Sequence, residues 1–414
     1  MLPRILVIMG SGETSPTMTK VHRDLFARLG PEPVPAVILD TPYGFQENAD
    51  DISARARAYF GQSVQRDVAV LSYRSATDVD PVGHETMLAR LGQAAYVFAG
   101  PGSPSYALSQ WAGSPVRGVF ADKLRHGGCL VFASAAAVTL GSLALPVYEI
   151  YKVGQSPHWL EGLDLMAEVG LPAVVVPHFN NAEGGNHDTR YCYMGERRLR
   201  ILEEMLPDDV FVLGVDEHTA CILDLDAGVA IVAGVGGVTV RRGGVMASVP
   251  SGETVPIAEL AQTSPAGAAT ATPSTRVVAA GGPTVESSLQ AGAERCRRAF
   301  DAALAAHDAR GAVKAALELE ALVVEWSRDT LQSDEADRGR AALRAMLVRL
   351  GEAAEEGLRD PRHAVEPFVE ALLESRRQAR DDRRWADADA VRDRLVEAGV
   401  EVRDTAEGTS WDLR

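Results

Sequence analysis

Cys129-Leu130-Val131-Phe132-Ala133-Ser134-Ala135-Ala136-Ala137 runs from an apolar stretch through a serine into three alanines. The apolar stretch reads as a buried strand, and small residues directly after it permit a tight turn into a helix. Such a strand-turn-helix elbow exposes the serine hydroxyl and sets helix-start N–H groups beside it. Working outward, further apolar runs stand at Ile5–Met9, Ala36–Asp40, Val68–Ser72, Ala95–Ala99, Ala173–Val176, Val210–Gly214 and Val229–Ala233. Amphipathic stretches such as Asp51–Tyr59 and Tyr106–Trp111 lie between them. That alternation specifies an α/β fold, a three-layer arrangement around a mostly parallel sheet. Loops at the carboxyl ends of its strands are where function is expected.

Beyond the sheet the composition changes. Residues 251–292 are rich in Ala, Thr, Pro, Ser and Gly and read as a flexible linker between a 1–250 domain and a 293–414 domain. The second domain is mainly α-helical, with periodicity to about Ala398 and breaks near Gly311, Asp329–Thr330 and Asp360–Pro361. Val400–Val402 and Thr409–Trp411 flank Glu407-Gly408 as a small hairpin.

The chain has 414 residues, 46% of them hydrophobic, enough for more than one core. A net charge of −16 disfavours holding nucleic acid by a broad electrostatic field, so any such contact must be local. Cys129, Cys192, Cys221 and Cys296 form no CxxC pair, which argues against a disulfide framework or structural zinc and fits a cytoplasmic protein. The apolar start to Met9 is too short for a membrane span or signal peptide, so no membrane partner is expected. Gly10-Ser11-Gly12-Glu13-Thr14 lacks the Gly-Lys-Ser/Thr of a phosphate loop, and a metal set from Glu183, His187 and Asp188 follows no spacing rule. No cofactor or metal is expected.

Serine needs a base to take its proton, and the base needs a carboxylate to fix its tautomer. His178 directly follows an apolar run in Val176-Pro177-His178-Phe179, and Glu149 lies in Tyr148-Glu149-Ile150. Gly100-Pro101-Gly102-Ser103 ends another strand, where glycines let backbone N–H groups approach an oxyanion. The polar run from Asn180 and Asn181 to His187 and Arg190 reads as either a substrate-recognition wall or a solvated loop. Phe132 and Ala136 replace the glycines of G-x-S-x-G.

In these motifs residues 1–245 resemble the cyanophycinase and aspartyl dipeptidase group of serine peptidases, within the class I glutamine amidotransferase-like, flavodoxin-like fold. The resemblance rests on Gly100–Ser103, Ala133–Ala135, His178-Phe179 and the late Gly214-Val215-Asp216-Glu217-His218-Thr219-Ala220. It implies hydrolysis of a peptide or isopeptide bond, with Ser134 as nucleophile, His178 as base and Glu149 orienting His178. Gly102 and Ala135 N–H groups would line the oxyanion hole.

The tail carries Arg376, Arg377, Arg380, Arg383 and Arg384 around a single tryptophan, Trp385. Arginines with an aromatic platform can grip a single-stranded loop, although a solvated charged helix is the plainer reading. From about Arg295 the chain resembles the carboxyl-terminal end of cysteinyl-tRNA synthetase, most specifically in Arg380-x4-Trp385-Ala386-x-Ala388-Asp389 and Asp404-Thr405-x2-Gly408-Thr409-x-Trp411. The resemblance implies anticodon contacts by Arg380, Trp385 and Asp389, with Asp404 a further candidate. His-Ile-Gly-His and Lys-Met-Ser-Lys-Ser segments are missing, so aminoacylation is not expected. The expected protein is a serine-type hydrolase of peptide, isopeptide or aminoacyl bonds, docked on a tRNA with a cysteine-type anticodon. The alternatives are a non-catalytic tRNA-binding or scaffold protein with a degraded site, or a peptidase whose tail drives homo-oligomerisation.

Overall fold

The computed structural model describes residues 2–77, 80–183, 187–262, 288–326, 335–356, 361–405 and 408–413. Contacts divide the chain into two compact units, residues 1–288 with 324–336 and residues 289–323 with 337–414.

In the first unit five strands run parallel: β1 (Arg4–Met9), β2 (Ala36–Leu39), β3 (Ala69–Leu71), β4 (Tyr96–Ala99) and β5 (Gly128–Ala133). A small hairpin, β6 (Leu143–Ala144) and β7 (Leu160–Glu161), follows. Next come β8 (Ala173–Val176), β9 (Phe211–Val215), β10 (Thr219–Asp224), β11 (Val229–Gly234), β12 (Gly237–Arg242), β13 (Val245–Pro250) and β14 (Thr254–Pro256). The main sheet has the order β14-β11-β10-β1-β5-β4-β2-β3, and a second sheet has the order β13-β12-β9-β8. Strands β10, β11 and β14 join the main sheet antiparallel, so its parallel part is five strands wide.

The helices of this unit are α1 (Pro16–Leu29), α2 (Ala49–Tyr59), α3 (Pro81–Gln93), α4 (Pro104–Trp111), α5 (Val116–His126), α6 (Ala135–Val138), α7 (Val147–Tyr151), α8 (Gly195–Glu203) and α9 (Ile257–Gln262). Alternation along the central strands separates the layers, because successive side chains point to opposite faces. Ile5, Val7 and Met9 pack with Met18, Leu25 and Phe26 of α1. Leu6 and Ile8 belong to the opposite core, with Trp111 of α4, Phe120 of α5 and the second sheet's Val174 and Leu213. Phe132, which stands where the elbow motif has glycine, packs edge-on against Trp111 and Phe120 with ring centroids 5.9 and 5.1 Å away. Such aromatic pairs add about 0.5–1.5 kcal/mol each.

Folded structure extends past the expected boundary at residue 250, through β14 and α9, and resumes with α10 (Leu289–Ala305). Most of the sequence read as a linker, residues 263–287, lies outside the described residues, as does the Asp329–Thr330 break. The break assigned near Gly311 falls between Ala305 and Ala309, since Gly311 is inside α11 (Ala309–Trp326). The second unit continues with α12 (Glu335–Glu356), α13 (Pro361–Asp381), α14 (Trp385–Glu397) and the antiparallel pair β15 (Val400–Thr405) and β16 (Gly408–Leu413). Val369, Leu373, Leu395, Val400, Val402 and Trp411 form one apolar cluster across α13, α14 and the hairpin.

Candidate functional site

Parallel pairing of β1 with β5 sets Met9 beside Ala133, and the Ser134 N–H donates to the Met9 carbonyl at 3.1 Å. Ser134 has φ 49° and ψ −117°, outside the favoured regions for an L-residue, which is the sharp turn an exposed nucleophile requires. Ala136 sits inside α6 without positive φ, so its methyl brings no backbone strain, and its N–H donates to the Gly100 carbonyl at 3.3 Å. Six of the ten non-glycine residues at positive φ among the described residues gather around this place: Ser134, His178, Tyr191, Cys192, Tyr193 and His218. Strain of this kind costs about 1–3 kcal/mol per residue and concentrates at functional sites.

The Ser134 Oγ lies 3.0 Å from His178 Nε2, and His178 Nδ1 lies 2.8 Å from Glu217 Oε1. His178 is nearly buried and Glu217 is 26% exposed. Register explains the meeting. Strand β8 pairs parallel with β9, Val176 opposite Gly214, so the loops after both strands emerge together and bring Glu217 against His178. A Cβ at Gly10 would lie 2.0 Å from the Asp216 carbonyl oxygen, so the Glu217 loop closes directly onto the end of β1.

Glu149 does not take the expected place. It lies on α7, its Oε2 is buried without a hydrogen-bond partner, and the carboxylate on His178 is Glu217. Between Ser134 and Glu149 the chain passes through α6 and β6 into α7, whereas Glu217 follows β9, the strand paired with β8 and so with His178.

Burial works to raise the Glu217 pKa, but the hydrogen bond and charge interaction with His178, joined by the hydrogen bond from Asn181, outweigh it and hold the carboxyl below its ordinary value. The anion therefore persists where it can face an imidazolium. Asn181 is fully buried and donates from Nδ2 to Glu217 Oε1 at 3.0 Å, while Asn180 Oδ1 accepts from the Glu217 N–H at 2.8 Å. Of the two asparagines expected in a substrate wall, Asn181 is engaged with the Glu217 carboxylate and Asn180 with the Glu217 backbone N–H. Arg190 is likewise committed, since its Nε and Nη2 donate to Asp188 at 2.9 and 2.8 Å. His187 Nε2 lies 3.5 Å from the Tyr151 hydroxyl, and Tyr151 packs at 5.0 Å from the Tyr193 ring. The Tyr193 ring centroid is 6.3 Å from that of His178, and its hydroxyl donates to Glu183 at 2.9 Å. A tyrosine wall thus borders the histidine.

Gly102, at φ 141°, cannot be replaced without movement, because a Cβ would stand 2.0 Å from the Pro42 carbonyl oxygen. Its loop ends β4, the neighbour of β5, and Ala135 opens α6, where the first N–H groups have no intrahelical acceptor. Glu13 is completely buried close to Gly100, and neither of its carboxyl oxygens has a hydrogen-bond partner among the described residues. Burial pushes its pKa up, against the weaker pull of its own backbone N–H and of His178.

In the second unit, Arg376 makes a bidentate contact to Asp404 at 2.9 and 2.8 Å, and Arg380 reaches the same carboxylate at 3.1 Å. Thr409 Oγ1 adds a fourth donor at 2.9 Å. Trp385 is 57% exposed at the start of α14, and Asp389, also exposed, stands four residues on along the same helical face.

Residues 362–411 match the cysteinyl-tRNA ligase anticodon binding domain. That span holds Arg380, Trp385, Asp389 and Asp404. Among solved structures, a peptidase from an acI-B1 Actinobacterium is 20% identical, with a TM-score of 0.50, over 62% of this chain and 97% of that one. A putative peptidase E protein from Listeria monocytogenes EGD-e is 13% identical, with a TM-score of 0.36, over 60% of this chain and 98% of that one. The first unit thus has a peptidase-type fold, and the carboxyl-terminal region carries a domain of the anticodon-binding type. Among the described residues no helix is long and apolar enough to cross a membrane.

Proposed function

We propose that the chain is a serine-type hydrolase of peptide or aminoacyl bonds whose tail docks it on a tRNA. The observation that carries the first half is the relay from Ser134 through His178 to Glu217, with contacts of 3.0 and 2.8 Å on a strained elbow. Ser134 Oγ attacks the substrate carbonyl carbon while its proton passes to His178 Nε2. The carbonyl oxygen takes the negative charge and is stabilised by the Gly102 and Ala135 N–H groups. Collapse of the tetrahedral intermediate breaks the bond to the leaving amine or alkoxide, which takes the proton from Nε2. Water then attacks the acyl-enzyme by the same route in reverse. Glu217 fixes the tautomer that leaves Nε2 free to accept and stabilises the imidazolium. These contacts support catalysis over the reading of a degraded site.

The tRNA half rests on the match over 362–411 and on Arg380, Trp385 and Asp389 within it. Trp385 would stack on an anticodon base, Arg380 and Asp389 would bond base edges, and Asp404 would hold Arg380 in place. The match to a cysteinyl-tRNA ligase domain supports the reading of a cysteine-type anticodon. The test is hydrolysis of a panel of dipeptides, isopeptides and aminoacyl-tRNAs by the full chain and by Ser134→Ala. Loss of turnover in the variant is the expected result, and equal rates on every substrate would remove the hydrolase.

A further inference from the structure

Three bonds tie Asn181 to the site it was expected to line. Its N–H donates to the His178 carbonyl at 3.1 Å, its Nδ2 donates to Glu217 Oε1 at 3.0 Å, and its Oδ1 accepts from the Glu183 N–H at 3.3 Å. The residue has no exposed surface, so it cannot touch a substrate. We propose that Asn181 is a positioning residue, which locks the Glu217 carboxylate against His178 Nδ1 and thereby holds the imidazole ready to accept the Ser134 proton. The assignment rests on the hydrolase reading above.

The terminal torsion of a glutamate is broad and roughly two-fold, so a carboxylate held by one donor can swing. Here Oε1 receives two donors, His178 Nδ1 and Asn181 Nδ2, which arrive from the same chain segment. The segment cannot shift one without the other, because the Asn181 N–H is pinned to the His178 carbonyl. Asn180 completes the clamp from the backbone side of Glu217. Other titratable groups also act here. His218 and Asp216 flank Glu217 on its own loop, Cys192 and Tyr193 face it from the turn after Arg190, and Glu13 acts on His178 from the loop after β1. Only His178 and Asn181 hydrogen-bond its carboxylate among these side chains.

Removing the Asn181 donor leaves the Glu217 anion less stabilised and more basic. Because Glu217 must stay ionised to serve His178, the acidic limb of a pH–rate profile moves to higher pH. The experiment measures the rate at which a fluorophosphonate labels Ser134 in the full chain, across pH, for wild type, Asn181→Ala and Asn181→Asp. Labelling by Asn181→Ala should fall about 10- to 100-fold, the span of one lost hydrogen bond to a charged group. Its acidic limb should move up, and the low-field His178 Nδ1 proton resonance should shift. Asn181→Asp keeps the shape but sets a second carboxylate beside Glu217, so it should label more slowly than Asn181→Ala at neutral pH. That near-isosteric variant carries the test if the alanine variant fails to fold. Wild-type rates with an unmoved limb in a folded variant would overturn the role of Asn181 and leave the hydrolase standing. No labelling of Ser134 in the wild type would overturn both.

Discussion

Exchanging Glu217 for glutamine keeps the shape of the carboxylate and removes its charge. The 2.8 Å contact to His178 Nδ1 sets the two charge centres about 4 Å apart, where the attraction is about 4 kcal/mol at the effective dielectric of a partly buried pair. At about 1.4 kcal/mol per decade, losing it when the imidazolium forms slows acyl transfer about a thousandfold. The amide also offers His178 an N–H as readily as a carbonyl, so part of the enzyme holds the wrong tautomer. Glu149→Gln is the matched control, since the carboxylate bonded to His178 Nδ1 is Glu217 and not Glu149, and its rate should stay within about threefold of wild type, as for substitutions away from a reacting group. The assay is hydrolysis of an activated ester by the full chain, with each variant's fold checked by its unfolding transition. An unimpaired Glu217→Gln, or a Glu149→Gln that loses as much, would refute the assignment of the carboxylate.

Two other outcomes follow from the same contacts. Glu13 has a raised pKa in the fold, so the folded state binds its proton more tightly than the unfolded chain does. Its contribution is therefore full below the unfolded value near 4.5 and is lost as pH rises toward the folded value, at about 1.4 kcal/mol per pH unit. Glu13→Gln lacks that slope, so urea unfolding at pH 4 and pH 7 should show the variant gaining on wild type at the higher pH; a constant difference would refute a neutral buried carboxyl. Trp385→Ala in the full chain should weaken binding of a tRNA with a cysteine-type anticodon by about 5- to 150-fold, the worth of one base–aromatic stack. An unchanged dissociation constant would reduce the tail to a packing module.

How far the sequence reveals this site depends on where each residue sits relative to its strand. Ser134 and His178 each stand at the end of an apolar run, so local pattern was enough to find both. Glu217 also follows such a run, but its partnership with His178 comes from β8 and β9 lying side by side, which no local spacing encodes. The Gly214–Ala220 segment carries the signal, but nothing in it marks Glu217 rather than Glu149 as the carboxylate that meets His178. Asn180 and Asn181 misled for a related reason, since a polar run after a catalytic residue looks the same whether it meets substrate or a neighbouring carboxylate. On the sheet, the parallel strands were legible as isolated apolar runs, whereas β10, β12, β13 and β14 were not read as strands. Strand β10 is masked in the sequence because its Thr219 and Ala220 belong to the motif containing Glu217, and β12 with β13 because their pattern is half polar around Gly243-Gly244. Asp404 in the tail was visible as a motif residue, but its fourfold engagement by Arg376, Arg380 and Thr409 depends on the fold of the β15–β16 pair against α13.

The central claim, that Ser134 is an activated nucleophile, is tested most directly by locating the adduct after treating the full chain with a fluorophosphonate. One adduct on the peptide containing Ser134, absent from Ser134→Ala and strongly reduced in Glu217→Gln, is the result this account predicts. A wild-type chain that stays unmodified at Ser134 while remaining folded would contradict it.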